Sequence, residues 1–178
     1  EGLTEAMADG TLKVTGYTGT PVDLEIPETI NGKKVTQIDK EAFSHCSTLR
    51  NVTIPDSVTK IDVRAFMNCK KLESVKIPSG VTQIGTAAFA GCSALKSVNI
   101  PDSVTKIGNE AFSRCTSLKN VKIGNGVKEI GQYAFDVCRS LKSVIIPSGV
   151  KNIGEAAFGF ARMYGNVEGF KIYCYSGT

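Results

Sequence analysis

Apolar positions along this chain recur with a period far longer than the 3.6 residues of a helix or the 2 of a strand. Phe43, Phe66, Phe89, Phe112, Phe135 and Phe158 stand 23 residues apart, each directly behind an Ala. The first five precede Cys46, Cys69, Cys92, Cys115 and Cys138 by three positions. Leu49, Leu72, Leu95, Leu118 and Leu141 make a second row, Val52, Val75, Val98, Val121, Val144 and Val167 a third, and Ile54, Ile77, Ile100, Ile123 and Ile146 a fourth. The eight residues from Ile54 to Ile61 return from Ile100 to Ile107, two periods later. One such unit is too small to bury its own apolar side chains. Successive units must therefore stack, each laying its Leu, Val, Ile, Phe, Ala and Cys over the same residues of its neighbours, and the pattern predicts a solenoid.

Within the unit, Leu-x-x-Val-x-Ile ends in the alternation of a strand. This predicts parallel strands at 49–54, 72–77, 95–100, 118–123 and 141–146, side by side in one sheet at a spacing of about 4.8 Å. Pro-Asp-Ser, Pro-Ser-Gly or Gly-Asn-Gly then reverses the chain, and a second short run such as Val-Thr-Lys-Ile crosses back. Gly or Asp at 39, 62, 85, 108, 131 and 154 is expected to supply unusual dihedrals at a corner. The stretch 109–113 and its equivalents predict one short helical turn per coil. The class expected is therefore α/β, with a parallel sheet on one face and short strands and helical turns on the other.

The ends depart from the repeat, as capping units must when one face meets water. Five extra residues precede Val35, and Asn31-Gly32 within them predicts a hairpin. Residues 12–17 read as an edge strand over the first coil. In the sixth coil Ala161 replaces Cys, Tyr164 replaces Leu, and the last strand shifts to 170–173. The expected organisation is one domain over 1–178: a cap and partial repeat at 1–34, repeats at 35–164, and a second cap at 165–178.

The unit Leu-x-x-Val-x-Ile-Pro-x-x-Val-x-x-Ile-Gly-x-x-Ala-Phe-x-x-Cys, at its 23-residue period, resembles the BspA-type leucine-rich repeat over about residues 22–173. The resemblance implies a right-handed leucine-rich-repeat solenoid. It also implies a bacterial protein, secreted or at the cell surface, with a role in adhesion to host proteins or to other cells. No catalytic residue is shared across that family, so none is carried over.

Composition narrows the classes further. The chain of 178 residues is 42% hydrophobic, with a formal charge of +4 from 21 basic and 17 acidic residues. That charge is too mild to announce nucleic acid by itself. The longest apolar runs are a few residues, far short of the ~20 that span a bilayer, so no membrane insertion is expected. The chain opens at Glu1 with no basic or apolar leader, so a targeting signal is expected to have been removed or to lie outside it.

Candidate chemistry is sparse. Six Cys in an exported chain would ordinarily suggest disulfides, yet five fall at the same inward position of successive coils with parallel side-chain directions, which predicts buried free thiols. Their 23-residue spacing is not that of a metal site. His45 beside Cys46 is a nominal nucleophile pair, but its repeat equivalents Asn68, Gly91, Arg114 and Val137 scatter as outward residues do. The Thr row at 36, 59, 82 and 105 stops at Lys128 and Lys151 and reads as solvent-facing Thr on a strand. No cofactor, metal or enzymatic activity is expected.

The surface feature with most to offer is the outward side of the main strands. Alternation puts out Asn51, Ser74, Ser97, Asn120 and Ser143, then Thr53, Lys76, Asn99, Lys122 and Ile145, beside an entrance row of Arg50, Glu73, Lys96, Lys119 and Lys142. These rows carry six basic residues and one acid, a net +5 against +4 for the whole chain. The candidate ligand-binding residues are Arg50, Lys76, Lys96, Asn99, Lys119, Lys122 and Lys142. A polar floor rimmed by Lys suits an acidic protein or an anionic glycan, and the aromatic residues that nucleic-acid stacking needs are missing from these rows. With the family resemblance, the expectation is a monomeric, non-catalytic extracellular or cell-surface adhesion module that recognises a host or cell-surface protein or a polysaccharide. The alternative is a rigid spacer in a longer surface protein.

Overall fold

The computed structural model describes residues 3–159 and 171–174. Each 23-residue unit makes one coil of a β-solenoid, and the coils stack in register. The row that crosses back is the most continuous. Lys33–Ile38, Lys60–Ile61, Gln83–Ile84, Lys106–Ile107, Glu129–Ile130 and Asn152–Ile153 pair in parallel, with Ile61 over Ile84, Ile107, Ile130 and Ile153. Only two residues per coil pair through most of this back sheet, because the turns on either side bend the chain away at once.

The main strands form the front face, and here the prediction needs correcting. They are shorter, beginning two residues after Leu, and they do not join in one hydrogen-bonded sheet. Asp23–Glu25, Asn51–Thr53 and Ser74–Lys76 pair together, Ser97–Ile100 pairs with Asn120–Ile123, and Ser143–Ile146 pairs with Lys171–Cys174. The ladder lapses between these groups while the inward side chains run on, because stacking of Leu, Val and Ile holds the coils together with or without a backbone bond. At the strand entrance the Lys96 N–H still donates to the Glu73 carbonyl at 3.3 Å, and the Lys119 N–H to the Lys96 carbonyl at 2.9 Å.

The expected helical turns are also absent: among the described residues there is no helix. Alternate N–H groups in the Ala-Phe segment leave the coil altogether. Glu41, Phe43 and His45 donate to the carbonyls of Val63, Ala65 and Met67 in the next coil, while Ala42, Ser44 and Cys46 donate back three residues within their own. A helix would keep every N–H inside the segment. Positive φ at Glu41, Arg64, Ala87, Glu110, Tyr133 and Ala156, and at His45, Asn68, Gly91, Arg114 and Val137, breaks the helical path twice per coil. The third side of the solenoid is thus a stack of tight turns.

The Gly row at the corner has a different cause from the one expected. Gly85, Gly108, Gly131 and Gly154 are not in the left-handed region; a Cβ on Gly108 would fall 2.6 Å from the Gly85 carbonyl carbon and the Thr86 nitrogen. Close approach of adjacent coils, not dihedral freedom, demands the missing side chain. In the first two coils Asp39 and Asp62 stand there instead, bound by Lys13 at 3.0 Å and Lys60 at 2.7 Å.

One apolar core runs from Leu12 to Phe158. Its axis is the six Phe rings, offset-stacked with centroids 5.0 to 5.3 Å apart and planes within 8°. Tyr17 extends the column at 5.6 Å from Phe43. At the N-terminus the hairpin falls where Asn31-Gly32 predicts it. Thr29–Ile30 pairs antiparallel with Lys33–Ile38, and Asn31 and Gly32 both have positive φ, as a tight two-residue turn requires. Leu12–Gly16 is not an edge, since Leu3–Ala6 pairs antiparallel along its outer side. Of the predicted C-terminal features, Ala161, Tyr164, Val167 and Phe170 lie outside the described residues.

Candidate binding face

The front strands alternate as their sequence dictates. In Ser143–Ile146, Val144 and Ile146 are buried while Ser143 and Ile145 are exposed. The same alternation puts Lys76, Asn99 and Lys122 in solvent, and Arg50, Lys96, Lys119 and Lys142, each one residue ahead of its strand, are exposed as well.

Their electrostatic surroundings differ sharply along the stack. Glu73 lies between two cations, with Lys96 Nζ at 2.6 Å and Arg50 at 3.7 Å. The hydrogen bond and charge of Lys96, helped by Arg50, hold the Glu73 carboxyl below its usual range. Arg50 and Lys96 are therefore already engaged. Lys76, Lys119, Lys122 and Lys142 form no ion pair among the described residues.

The polar floor divides in the same way. Asn51 donates through Nδ2 to Asp23 Oδ1 at 2.6 Å, and the Ser74 hydroxyl donates to Asn51 Oδ1 at 2.9 Å. Farther along, Ser97, Asn120 and Ser143 make no side-chain hydrogen bond among the described residues.

The last strand, expected at 170–173, is described at Lys171–Cys174, and its outward residues add to the face in a way the sequence reading did not include. Ser143–Ile146 pairs with Lys171–Cys174 at an offset of 28, which sets Lys171 beside Ser143 and Tyr173 beside Ile145. Ile145 is 55% exposed and Tyr173 52% exposed. An aromatic ring thus does belong to the outward rows. The sequence showed that strand, but its offset of 28 residues from Ser143–Ile146 took Tyr173 off the 23-residue grid on which the outward rows were read.

The remaining candidates fall away. Cys46, Cys69, Cys92, Cys115 and Cys138 are buried free thiols, as their spacing predicts, and Cys174 is an exposed one. From Cys69 onward each buried thiol donates to the carbonyl of a Phe 26 residues earlier, at 3.1 to 3.3 Å. Burial pushes Cys92 and Cys115 well above the ordinary thiol value and Cys138 up to about 12, so these sulfurs are protonated and unreactive. A hydrogen bond to Cys46, with burial, likewise pushes the Tyr17 phenol up to about 12. His45 is exposed while Cys46 is buried, so the two do not form a pair. The Thr59, Thr82 and Thr105 hydroxyls donate to the carbonyls of the preceding Thr, tying coil to coil at 3.2 to 3.4 Å. Among the described residues no group of three or more His, Cys, Asp and Glu is placed to hold a metal ion. A cavity of about 230 Å³ at the N-terminal end is lined mainly by apolar residues such as Val14, Tyr17, Leu24, Ile26 and Ile30, with no cation converging on it.

Residues 29–163 match the model of the BspA type leucine rich repeat region in six copies. The structure is similar to that of a leucine rich repeat protein from T. pallidum, at 32% identity and a TM-score of 0.88, over 97% of this chain and 78% of that one. It also resembles a leucine-rich repeat protein from Bacteroides ovatus, at 30% identity and a TM-score of 0.62, over 87% of this chain and 48% of the other. A third likeness is to a leucine rich cell surface protein from Faecalibacterium prausnitzii, at 26% identity and a TM-score of 0.65, over 96% of this chain and 52% of the other. The chain thus spans about half the length of the last two. No curated protein sequence matches it.

Proposed function

The chain belongs to the BspA type leucine-rich repeat family, and from that premise we propose that it is a non-catalytic binding module of the cell surface or extracellular space, docking an acidic partner on its front face. The partner is a protein or a polysaccharide. The observation that carries this reading is the set of exposed lysines that have no anion among the described residues, Lys76, Lys119, Lys122 and Lys142, on a face where Arg50 and Lys96 share Glu73. Charges left unpaired along one side of a rigid scaffold attract an oppositely charged surface and speed its encounter. The likeness to a leucine rich cell surface protein of Faecalibacterium prausnitzii supports the cell-surface location.

The unbroken column of Phe rings favours a second use, as a rigid spacer that carries another part of a longer surface protein. Binding kinetics separate the two. Immobilised protein is probed with acidic proteins and acidic polysaccharides over a series of salt concentrations, wild type against the double variant Lys119→Glu and Lys142→Glu. Association should slow as salt rises, because exposed charges are screened over about 8 Å at physiological ionic strength, and should slow further in the variant. Kinetics that ignore both salt and charge reversal would leave the spacer as the better account.

A further inference from the structure

The front face beyond Lys96 combines three features that no single one of its strands holds. The exposed side chains of Ser97, Asn120 and Ser143 form a central file that makes no side-chain hydrogen bond among the described residues. Lys119 and Lys142 run along one side of that file, Lys122 stands on the other, and Lys171 closes it next to Ser143. At the same end Ile145 and Tyr173, adjacent by register and each about half exposed, offer a small apolar step bearing an aromatic ring.

We infer that this strip takes an extended acidic polysaccharide lying along the solenoid axis, its anionic groups on the lysines and one sugar ring on Tyr173. The inference rests on the binding reading above and narrows it to one chemical class. The strip is one-dimensional, with a small polar residue and an entrance lysine repeating from coil to coil at a pitch of about 4.8 Å. A linear polymer of acidic sugars presents hydroxyls and anions in a comparably regular file. A folded acidic protein presents them irregularly and anchors itself in a larger apolar pocket than Ile145 and Tyr173 provide. Ser and Asn can both donate to and accept from sugar hydroxyls, which neither a purely ionic nor a purely apolar ligand would use. Tyr supplies an apolar ring face that remains at home in water. Successive aromatic residues, the mark of a platform for nucleic-acid bases, are not what the strip contains.

Native electrophoresis through gels containing polygalacturonate, polyglutamate or dextran tests this directly. Polygalacturonate should retard the wild-type protein more than polyglutamate does, and dextran should not retard it. Lys119→Glu with Lys142→Glu should weaken the polygalacturonate effect by about tenfold or more. Tyr173→Ala should weaken it by about three- to tenfold, with the loss persisting at salt concentrations that screen the lysines, while Tyr173→Phe behaves as wild type. Tyr173 is exposed, and unchanged thermal melts establish that these variants fold. Equal retardation by polyglutamate and polygalacturonate, with Tyr173→Ala unaffected, would overturn the polysaccharide inference and leave the acidic-partner reading standing. Retardation by none of the acidic polymers overturns both.

Discussion

Up to Lys96 the front face largely satisfies itself; beyond it the same fold leaves its polar groups open. In the first coils Asp23, Asn51 and Ser74 bond in a chain, and Arg50 and Lys96 share the one carboxylate of Glu73, while Glu25 and Lys76 form no ion pair among the described residues. In the later coils Ser97, Asn120, Ser143, Lys119, Lys122 and Lys142 face solvent without partners among the described residues. Beneath both halves lies the same column of Phe and Cys at nearly constant spacing. The difference teaches that in a stacked fold the two sides of the same short strand answer to different constraints. The inward residue must match its neighbours above and below, whereas the outward one is free to change from coil to coil.

The largest test of this separation acts on the shared column. Phe89 lies between the two halves and is fully buried, so Phe89→Ala should cost about 3 to 5 kcal/mol in denaturant melts through the cavity it leaves. Phe158, at the end of the column and 7% exposed, should cost less. Equal losses at the two sites would mean that the halves do not stand on one cooperative core. Next in size is Gly108→Ala, whose Cβ would meet the backbone of the coil before it. Overpacking of this kind should cost about 1 to 3 kcal/mol. Lys106→Ala, two residues away on the exposed surface, should stay within about 0.5 kcal/mol.

A third test is pH. The folded Cys138 thiol holds its proton up to about 12, against an ordinary value of 9.0, and Cys92 and Cys115 shift in the same direction. Above about pH 9 the unfolded chain has lost protons that the folded chain keeps, so stability must fall as pH rises, from about 9 towards 12. At about pH 10 the loss from Cys138 is on the order of 1 kcal/mol. Denaturation midpoints that stay level from about pH 8 to about pH 10 would show that the buried column is open to water. The smallest effect sharpens the contrast between the halves. Glu73→Gln releases Arg50 and Lys96 and should leave the melting temperature unchanged, because the pair is exposed. It should raise the association rate with an acidic probe by roughly two- to threefold. No gain in rate would mean that the earlier coils take no part in attracting a partner.

Particular residues show which features of the fold are local to the sequence. The Phe grid placed Phe66, Phe89, Phe112 and Phe135 in a buried stack, and Asn31-Gly32 placed a hairpin, because both depend on spacing or on local backbone preference alone. The stretch Asn109-Glu110-Ala111-Phe112 misled, since its composition suits a helical turn equally well. Only the neighbouring coil, by accepting every second N–H, decides against the helix. The seven candidate residues were all placed outward correctly, but their pairing was not legible. That Glu73 reaches both Arg50 and Lys96 depends on side-chain reach between coils.

The amino-acid sequence by itself determined the repeat, the inward rows and the stacking of identical residues, because a 23-residue unit with that apolar pattern has no other way to leave water. Tertiary structure alone decided which polar and charged groups remain unsatisfied. It set Tyr173 beside Ile145 through a coil five residues longer than the rest, and it closed Asp23, Asn51 and Ser74 into a chain while leaving Asn120 and Ser143 without a side-chain hydrogen bond among the described residues. The physical reason is range: burial follows from the composition of each unit, but a hydrogen bond or an ion pair exists only where two coils bring its partners within about 3 to 4 Å.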